Sequence, residues 1–153
     1  MLEVFATNPA RTELVQGPGG YGLAALQRDW HVAGLSSRTM LAIRRTAGGA
    51  VPGAAEFMDE PPDGGPPGWL GLLLIRGDAQ GQGYGSAAPA GLLAHPAQHR
   101  RWPLVRAAVA QHDDRARRFW GRHGFAPYAT AVRRLPGGEA AFVRLEHRLS
   151  GAS

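Results

Sequence analysis

The most apolar run of the chain, "GWLGLLLIR" (Gly68 to Arg76), is continuous and of strand length, which predicts a strand buried on both faces near the centre of a sheet. Ahead of it, "RTMLAIRRT" (Arg38 to Thr46) and "AVPGAAEFM" (Ala50 to Met58) flank Gly48 and Gly49 and predict a hairpin. Behind it, residues 84–95 are rich in small apolar residues and predict a helix. Pro89 removes a backbone donor there and clashes with the preceding turn, so a kink or a late helix start is expected. "WPLVRAAVA" (Trp102 to Ala110) predicts a further strand, and "DDRARRFWGRHG" (Asp113 to Gly124) carries helix signals at both ends. Asp113 or Asp114 caps its start, Ala116, Phe119 and Trp120 form an i, i+3, i+4 stripe, and Gly124 suits the position just past its end. "YATAVRRL" and "EAAFVRLEHRL" flank "PGG" (Pro136 to Gly138) and predict a closing hairpin, with Val143, Leu145, His147 and Leu149 alternating against Arg144, Glu146 and Arg148. The order is hairpin, strand, helix, strand, helix, hairpin, a mixed α+β pattern. Before residue 38 only Leu2 to Phe5 reads as a stub of strand, and "LAALQRDW" (Leu23 to Trp30) reads as a helix with Trp30 in the core.

Length turns this pattern into one expected domain over residues 1–153, because 153 residues can bury a sizeable core but fall short of two ordinary domains. The Pro/Gly breaks at Pro18 to Gly22 and Asp59 to Gly68 are too short for interdomain linkers. The absence of cysteine excludes disulfides, thiolate zinc sites and a cysteine nucleophile, and suits a reducing cytosol. No basic segment followed by an apolar core opens the chain, and no apolar run approaches the roughly 18 residues of a membrane span. A soluble, cytoplasmic protein is expected.

Charge changes the picture further. All 17 basic residues are arginine, which excludes Schiff-base chemistry through lysine, and the net charge of +5 favours an anionic partner such as a phosphorylated ligand or a nucleic acid. A coding bias that turned surface lysines into arginines explains the same numbers, so charge alone does not choose.

The stretch "QGQGYGSAA" (Gln80 to Ala88) is more specific, because it sets three glycines at alternate positions where a buried strand turns into a helix. Such a turn lets backbone amides converge at the positive end of a helix and lets a pyrophosphate approach the main chain. The glycine spacing of dinucleotide-binding turns is absent, as is the lysine of a phosphate loop.

This stretch resembles the coenzyme A loop of the GNAT acyltransferases, whose pattern is Gln or Arg, two residues, Gly, one residue, then Gly or Ala. Gln80, Gly83 and Gly85 fill those places. Thirty residues on, "ARRFWGRHGF" (Ala116 to Phe125) resembles the family's second signature, an Ala followed by Phe, an aromatic and Gly-Phe. The likeness covers residues 38–149, and "GAAEFMDEPPDGGPPGWLGLLLI" also looks like one bacterial branch of the family. It thins over residues 1–17, where either the first strand is very short or the chain starts late.

The resemblance implies a mixed, mostly antiparallel sheet flanked by helices and splayed after the central strand, with acetyl-CoA lying in the gap. It implies that the main chain of Leu73, Leu74 and Ile75 bonds the pantetheine arm, and that the amides of Gln80, Gly81, Gln82, Gly83, Tyr84, Gly85 and Ser86 hold the pyrophosphate. Asp113 stands where the family usually carries an Asn that touches the cofactor arm, and Phe119 packs beside it. An ionised Asp accepts but cannot donate, so it could serve the amide N–H of the arm and not its carbonyl. Trp120 occupies the place where many members have the Tyr that protonates the departing thiolate. Since a thiol has an ordinary pKa of about 8.5, its anion leaves without much help near neutral pH, and Tyr84, Tyr128 or a water can supply the proton.

The harder step is to deprotonate an attacking ammonium with an ordinary pKa of about 10.4. Glu56, a charged residue inside an otherwise apolar strand, is the first candidate base, directly or through a water, against the plainer alternative of a solvent-facing strand position. His112 is the second candidate, because histidine titrates near operating pH, against chance placement in a loop. A backbone N–H of the central strand would hold the oxyanion. The expected activity is acetyl transfer to a primary amine of a small molecule or peptide, without a metal; a homodimer stays open. Two rivals remain: a catalytically silent acetyl-CoA-binding sensor or partner subunit, favoured by the departures at Asp113 and Trp120, and a basic nucleic-acid-binding module. The second is disfavoured because Arg115, Arg117, Arg118 and Arg122 surround a helix whose aromatics lie on its buried stripe.

Overall fold

A computed structural model describes residues 38–44, 52–59, 65, 67–81, 83–99 and 101–150. The expected Leu2–Phe5 strand, the Leu23–Trp30 helix, the Gly48-Gly49 turn and Gln82 lie outside the described residues. Among the described residues six strands form one sheet: β1 (Arg38–Ile43), β2 (Gly53–Met58), β3 (Trp69–Ile75), β4 (Leu104–Ala110), β5 (Ala126–Leu135) and β6 (Gly138–Arg148), in the order β1-β2-β3-β4-β6-β5. Helix α1 (Tyr84–His99) connects β3 to β4, and α2 (Asp114–Arg122) connects β4 to β5. Every described pairing is antiparallel except β3 with β4. The mixed, mostly antiparallel α+β sheet expected from the sequence is therefore the one observed.

The parallel pair is short. Only Trp69 with Arg106 and Leu70 with Ala107 are in register, pinned at one end by the Arg106 amide donating to the Gly68 carbonyl at 2.6 Å. β4 then continues on β6 for its whole length, from Leu104 opposite Arg148 to Ala110 opposite Phe142, so β3 and β4 part company above Leu70. The sheet is splayed where the apolar run predicted its centre.

Alternation decides which faces meet. Val105, Ala107 and Val109 of β4 and Val143 and Leu145 of β6 are buried with Phe57, Leu70, Leu92, Trp102, Trp120 and Phe125 in one apolar cluster. Phe57 meets Trp102 edge-on at 5.8 Å and stacks on His95 of α1 at 6.2 Å. His147, on the inward-facing series of β6, lies against Phe125 at 5.2 Å.

Helix α1 departs from expectation. It starts at once, with the Ala87 amide donating to the Gly83 carbonyl at 3.1 Å, and runs through both Pro89 and Pro96, so the late start foreseen for Pro89 does not occur. An interior proline costs an exposed helix about 3 kcal/mol. Here both proline rings are fully buried, and Pro89, Leu92 and Pro96 follow one another at i, i+3 and i+7 on the core face. The lost ladder bonds are offset by apolar burial. Helix α2 keeps to its signals: the Asp113 carboxylate accepts from the Ala116 amide at 2.9 Å, and Gly124 follows the helix with φ +82. The Phe125 amide donates to the Trp120 carbonyl and the Gly124 amide to the Gly121 carbonyl, and the Trp120 and Phe125 rings meet at 4.8 Å, the hydrophobic contact that accompanies this type of helix stop.

Candidate functional site

The divergence of β3 and β4 leaves a cavity of about 580 Å³, within the range of small-ligand sites. Leu73, Leu74 and Ile75 of β3 form one wall, Ala107, Ala108 and Val109 of β4 the opposite one, and Asp113, Ala116, Phe119 and Trp120 close it from α2. The Arg76 amide donates to Pro52 on the β2 side, so strand alternation turns the peptide groups of Leu73 and Ile75 toward the gap. The Ile75 carbonyl is taken by the Gln80 side chain, whereas the Leu73 peptide meets no neighbouring strand, and an amide-bearing chain laid along β3 could bond it there.

The glycine segment forms the end of this cavity. From β3 the chain passes through a 3₁₀ turn, Gly77–Ala79, and Gln80 folds back so that its side-chain amide donates to the Ile75 carbonyl at 3.1 Å. Gly81 and Gly83 have φ of +77 and +88, a backbone conformation that disfavours any side chain, and nothing lies within 4 Å of where their Cβ atoms would be. Gln80, Gly81 and Gly83 line the cavity. Tyr84, Gly85 and Ser86 form the first turn of α1, ahead of the Ala87 donor, so their amides have no carbonyl within the helix to bond. Open space, positive φ and helix amides at one point are the features with which a backbone can cradle an anion.

Glu56 is 5% exposed, the one buried charged residue among the described residues, which removes the solvent-facing alternative. The register explains its position. Glu56 pairs with Leu72 and Phe57 with Leu70, so β3 carries one extra residue, Gly71, opposite the Glu56–Phe57 step. A Cβ on Gly71 would lie 3.0 Å from Glu56 Oε1, and Gly71 itself lines the cavity. The bulge thus lays the carboxylate against the backbone that borders the gap.

On α2, Asp113 lines the cavity while one of its carboxylate oxygens caps the helix. Trp120 is buried at the same wall, with Phe119 edge-on to it at 5.0 Å. His112 is exposed in the turn after β4, and Tyr128 is exposed on β5 with the Arg106 guanidinium 4.9 Å above its ring; neither lines the cavity. The structure therefore brings together Leu73, Leu74, Ile75, Gln80, Gly81, Gly83, Asp113, Phe119 and, across Gly71, Glu56, and leaves His112 and Tyr128 outside. Sequence reading missed Gly71, although a lone glycine inside an apolar strand signals a bulge. It also missed Arg115 and Arg122, which line the cavity and share the helical spacing of Phe119. Among the described residues no cluster of three or more acidic or histidine side chains could hold a metal, and no helix is long and apolar enough to cross a membrane.

The same fold occurs in solved structures. The spermidine N-acetyltransferase of Vibrio cholerae in complex with CoA and spermine superposes with a TM-score of 0.75 at 12% identity, over 98% of this chain and 89% of that one. A chimera of the V. cholerae enzyme SpeG and hSSAT gives 0.72 at 12% identity, over 92% and 87%. At such identities the likeness carries the fold alone. No curated protein matches the chain in sequence. The sequence model of the Acetyltransferase (GNAT) family matches residues 12–125, from before β1 to the end of the α2 signature. With most of its length inside that match and its sheet opened at the strand pair that precedes the glycine turn, the chain belongs to the GNAT acetyltransferase family.

Proposed function

We propose that the protein is an acetyl-CoA-dependent N-acetyltransferase acting on a primary amine of a small molecule or peptide. The observation that carries this reading is the parting of β3 and β4 above Leu70, which leaves the Leu73 peptide facing a cavity that ends in the cradle of Gly81 and Gly83. An acyl-pantetheine arm is a chain of amides, so β3 can bond it as it would bond a neighbouring strand. Its diphosphate would meet the amides at the start of α1. The neighbouring enzyme solved with CoA and spermine shares this fold and makes an amine acceptor the natural first choice.

In this reading Glu56 takes the proton of the acceptor ammonium, directly or through one water. The freed amine nitrogen attacks the thioester carbonyl carbon, and the developing oxyanion takes a hydrogen bond from a β3 backbone amide. The carbon–sulfur bond then breaks, the nitrogen gives up its second proton to water to leave the amide, and the departing thiolate takes a proton from water, so that these two transfers cancel. Trp120 donates one hydrogen bond through its indole and is no useful acid, so this last proton is not its contribution. Steady-state release of free thiol with a panel of primary amines tests the reading. Glu56→Gln should lower kcat/KM by about 10² to 10⁴ while leaving coenzyme affinity unchanged. An unaltered pH–rate profile in that variant would assign the base to a water chain or to His112.

A second reading rests on Trp120 and on Asp113, one of whose carboxylate oxygens accepts the helix-cap bond. Both residues sit at the cofactor wall and offer less chemistry than the family's usual groups there, as befits a protein that binds acetyl-CoA without turning it over. Coenzyme binding with no thiol release for any amine would favour it.

A further inference from the structure

We propose that the far side of α2 carries a second small-molecule site, which takes a monocarboxylate with a compact apolar body. This site is separate from the cavity at the β3–β4 gap and does not depend on what that cavity binds.

Helix α2 has two unlike faces. Asp113, Ala116, Phe119 and Trp120 line the gap between β3 and β4. Asp114, Arg117, Arg118 and Gly121, spaced i, i+3, i+4 and i+7, line a second cavity of about 290 Å³ between the helix and the β5–β6 hairpin. That volume stands at the lower end of the range for small-ligand sites. Phe125, Val143 and Leu145, all buried, give it an apolar floor, and the four helix residues, all exposed, form its rim. Phe125 meets Trp120 at 4.8 Å, so a single layer of side chains separates the two cavities. Gly121 keeps the second one open. A glycine within a helix costs about 1 kcal/mol relative to alanine, yet nothing lies within 4 Å of where its Cβ would be, so crowding does not explain it. A longer side chain at this position would stand over the apolar floor.

The rim decides the charge of the ligand. Arg117 is engaged, donating to the Asp114 carboxylate at 3.3 Å and to the Gln111 carbonyl at 3.4 Å. Arg118 makes no ion pair among the described residues, so the rim carries one net positive charge above an apolar floor. Arg133 and Arg134 of β5 also stand without an ion pair among the described residues, but neither lines either cavity, and it is position over the floor that distinguishes Arg118. One guanidinium fork matches one carboxylate, which it can hold through two parallel bonds, whereas a dianion would bring a second charge against Asp114. Because Arg118 is exposed, the charge adds selectivity of moderate size, and burial of the ligand's apolar body on Phe125, Val143 and Leu145 supplies the rest.

Phenylacetate, titrated into the full chain and followed by ligand-observed NMR, tests the site. It should bind with a Kd on the order of 1 mM or below, and the neutral phenylacetamide about fivefold more weakly. Gly121→Leu should abolish phenylacetate binding while the melting temperature holds or rises, because leucine is the better helix former. Gly91→Leu, in equally open space on an exposed position of α1, should leave binding intact. Arg118→Gln should weaken phenylacetate to the level of the amide and leave the amide within about twofold of its wild-type affinity. Absence of binding to wild type, equal affinity for the carboxylate and the amide, survival of binding in Gly121→Leu, or equal loss in Gly91→Leu would each overturn the proposal. Competitive displacement of phenylacetate by coenzyme A would place the probe in the larger cavity and overturn it as well.

Discussion

The Glu56 carboxylate lies over Gly71, with Oε1 3.0 Å from the point where a side chain on that glycine would begin. The Met58 methyl end is 2.5 Å from the same point. Met58 is flexible and can swing aside, whereas Glu56 is held inside a buried strand. Gly71→Ala should therefore displace the carboxylate and lower kcat/KM more than tenfold, a misplacement cost, for a stability loss of about 1 to 3 kcal/mol. Amine acetylation rates set beside thermal melts check it; full activity in a folded variant would detach Glu56 from the chemistry.

Gly83→Val places a β-branched side chain at φ +88, at the cavity end where open space now stands. Strain and occupied volume act together, and acetyl-CoA affinity should fall at least a hundredfold. Calorimetry measures this directly, and circular dichroism shows whether α1 survives.

Trp120→Tyr restores a phenol at a buried wall of the cavity. Thiolate departure needs little help, so kcat at pH 8 should change less than about tenfold, with a larger gain at pH 6 if thiol departure limits there. The smaller ring loses part of its contact with Phe125, now at 4.8 Å, and about 1 to 2 kcal/mol of stability. A hundredfold rise in kcat at pH 8 with unchanged melting would mean that the missing acid limits the enzyme.

The link between β3 and the glycine turn carries its own pH dependence. The Arg76 guanidinium bonds Asp78 through two 2.6 Å contacts and holds its carboxyl below the usual aspartate value of 3.8. A depressed carboxyl stabilises the fold fully above its unfolded pKa, and that contribution is lost as pH falls through the lower, folded value. Acid titration of melting temperature in wild type and Asp78→Asn should therefore converge below that range. At neutral pH the two should differ little, because the pair is exposed to solvent.

Much of the architecture was legible because its signals are local. The apolar run of β3, the Gly138 turn, the Asp113 cap and the Gly124 stop each follow from residue chemistry within a few positions. Pro89 misled for the same reason: its cost is local, but the burial that offsets it is tertiary. Glu56 drew notice as a charge in an apolar strand, yet its burial depends on the extra residue in β3, and periodicity alone cannot choose which strand of a pair carries a bulge. The gap itself came from likeness to a family, since parallel pairing that stops after two residues leaves no mark on composition.

Helix α2 is tethered at both ends. At its start the Asp113 amide donates to the Ala110 carbonyl at the end of β4 at 2.9 Å, and at its finish the Gly124 carbonyl accepts a hydrogen bond from His147 Nδ1 of β6 at 3.1 Å, while any side chain on Gly124 would strike that ring. The cavity wall that α2 provides is thus bonded to the sheet at both ends. On the proposed function, room for a longer acyl group would come from trimming side chains such as Phe119 or Trp120, so a shift in acyl-chain preference should be reachable by single substitutions there without remodelling the backbone.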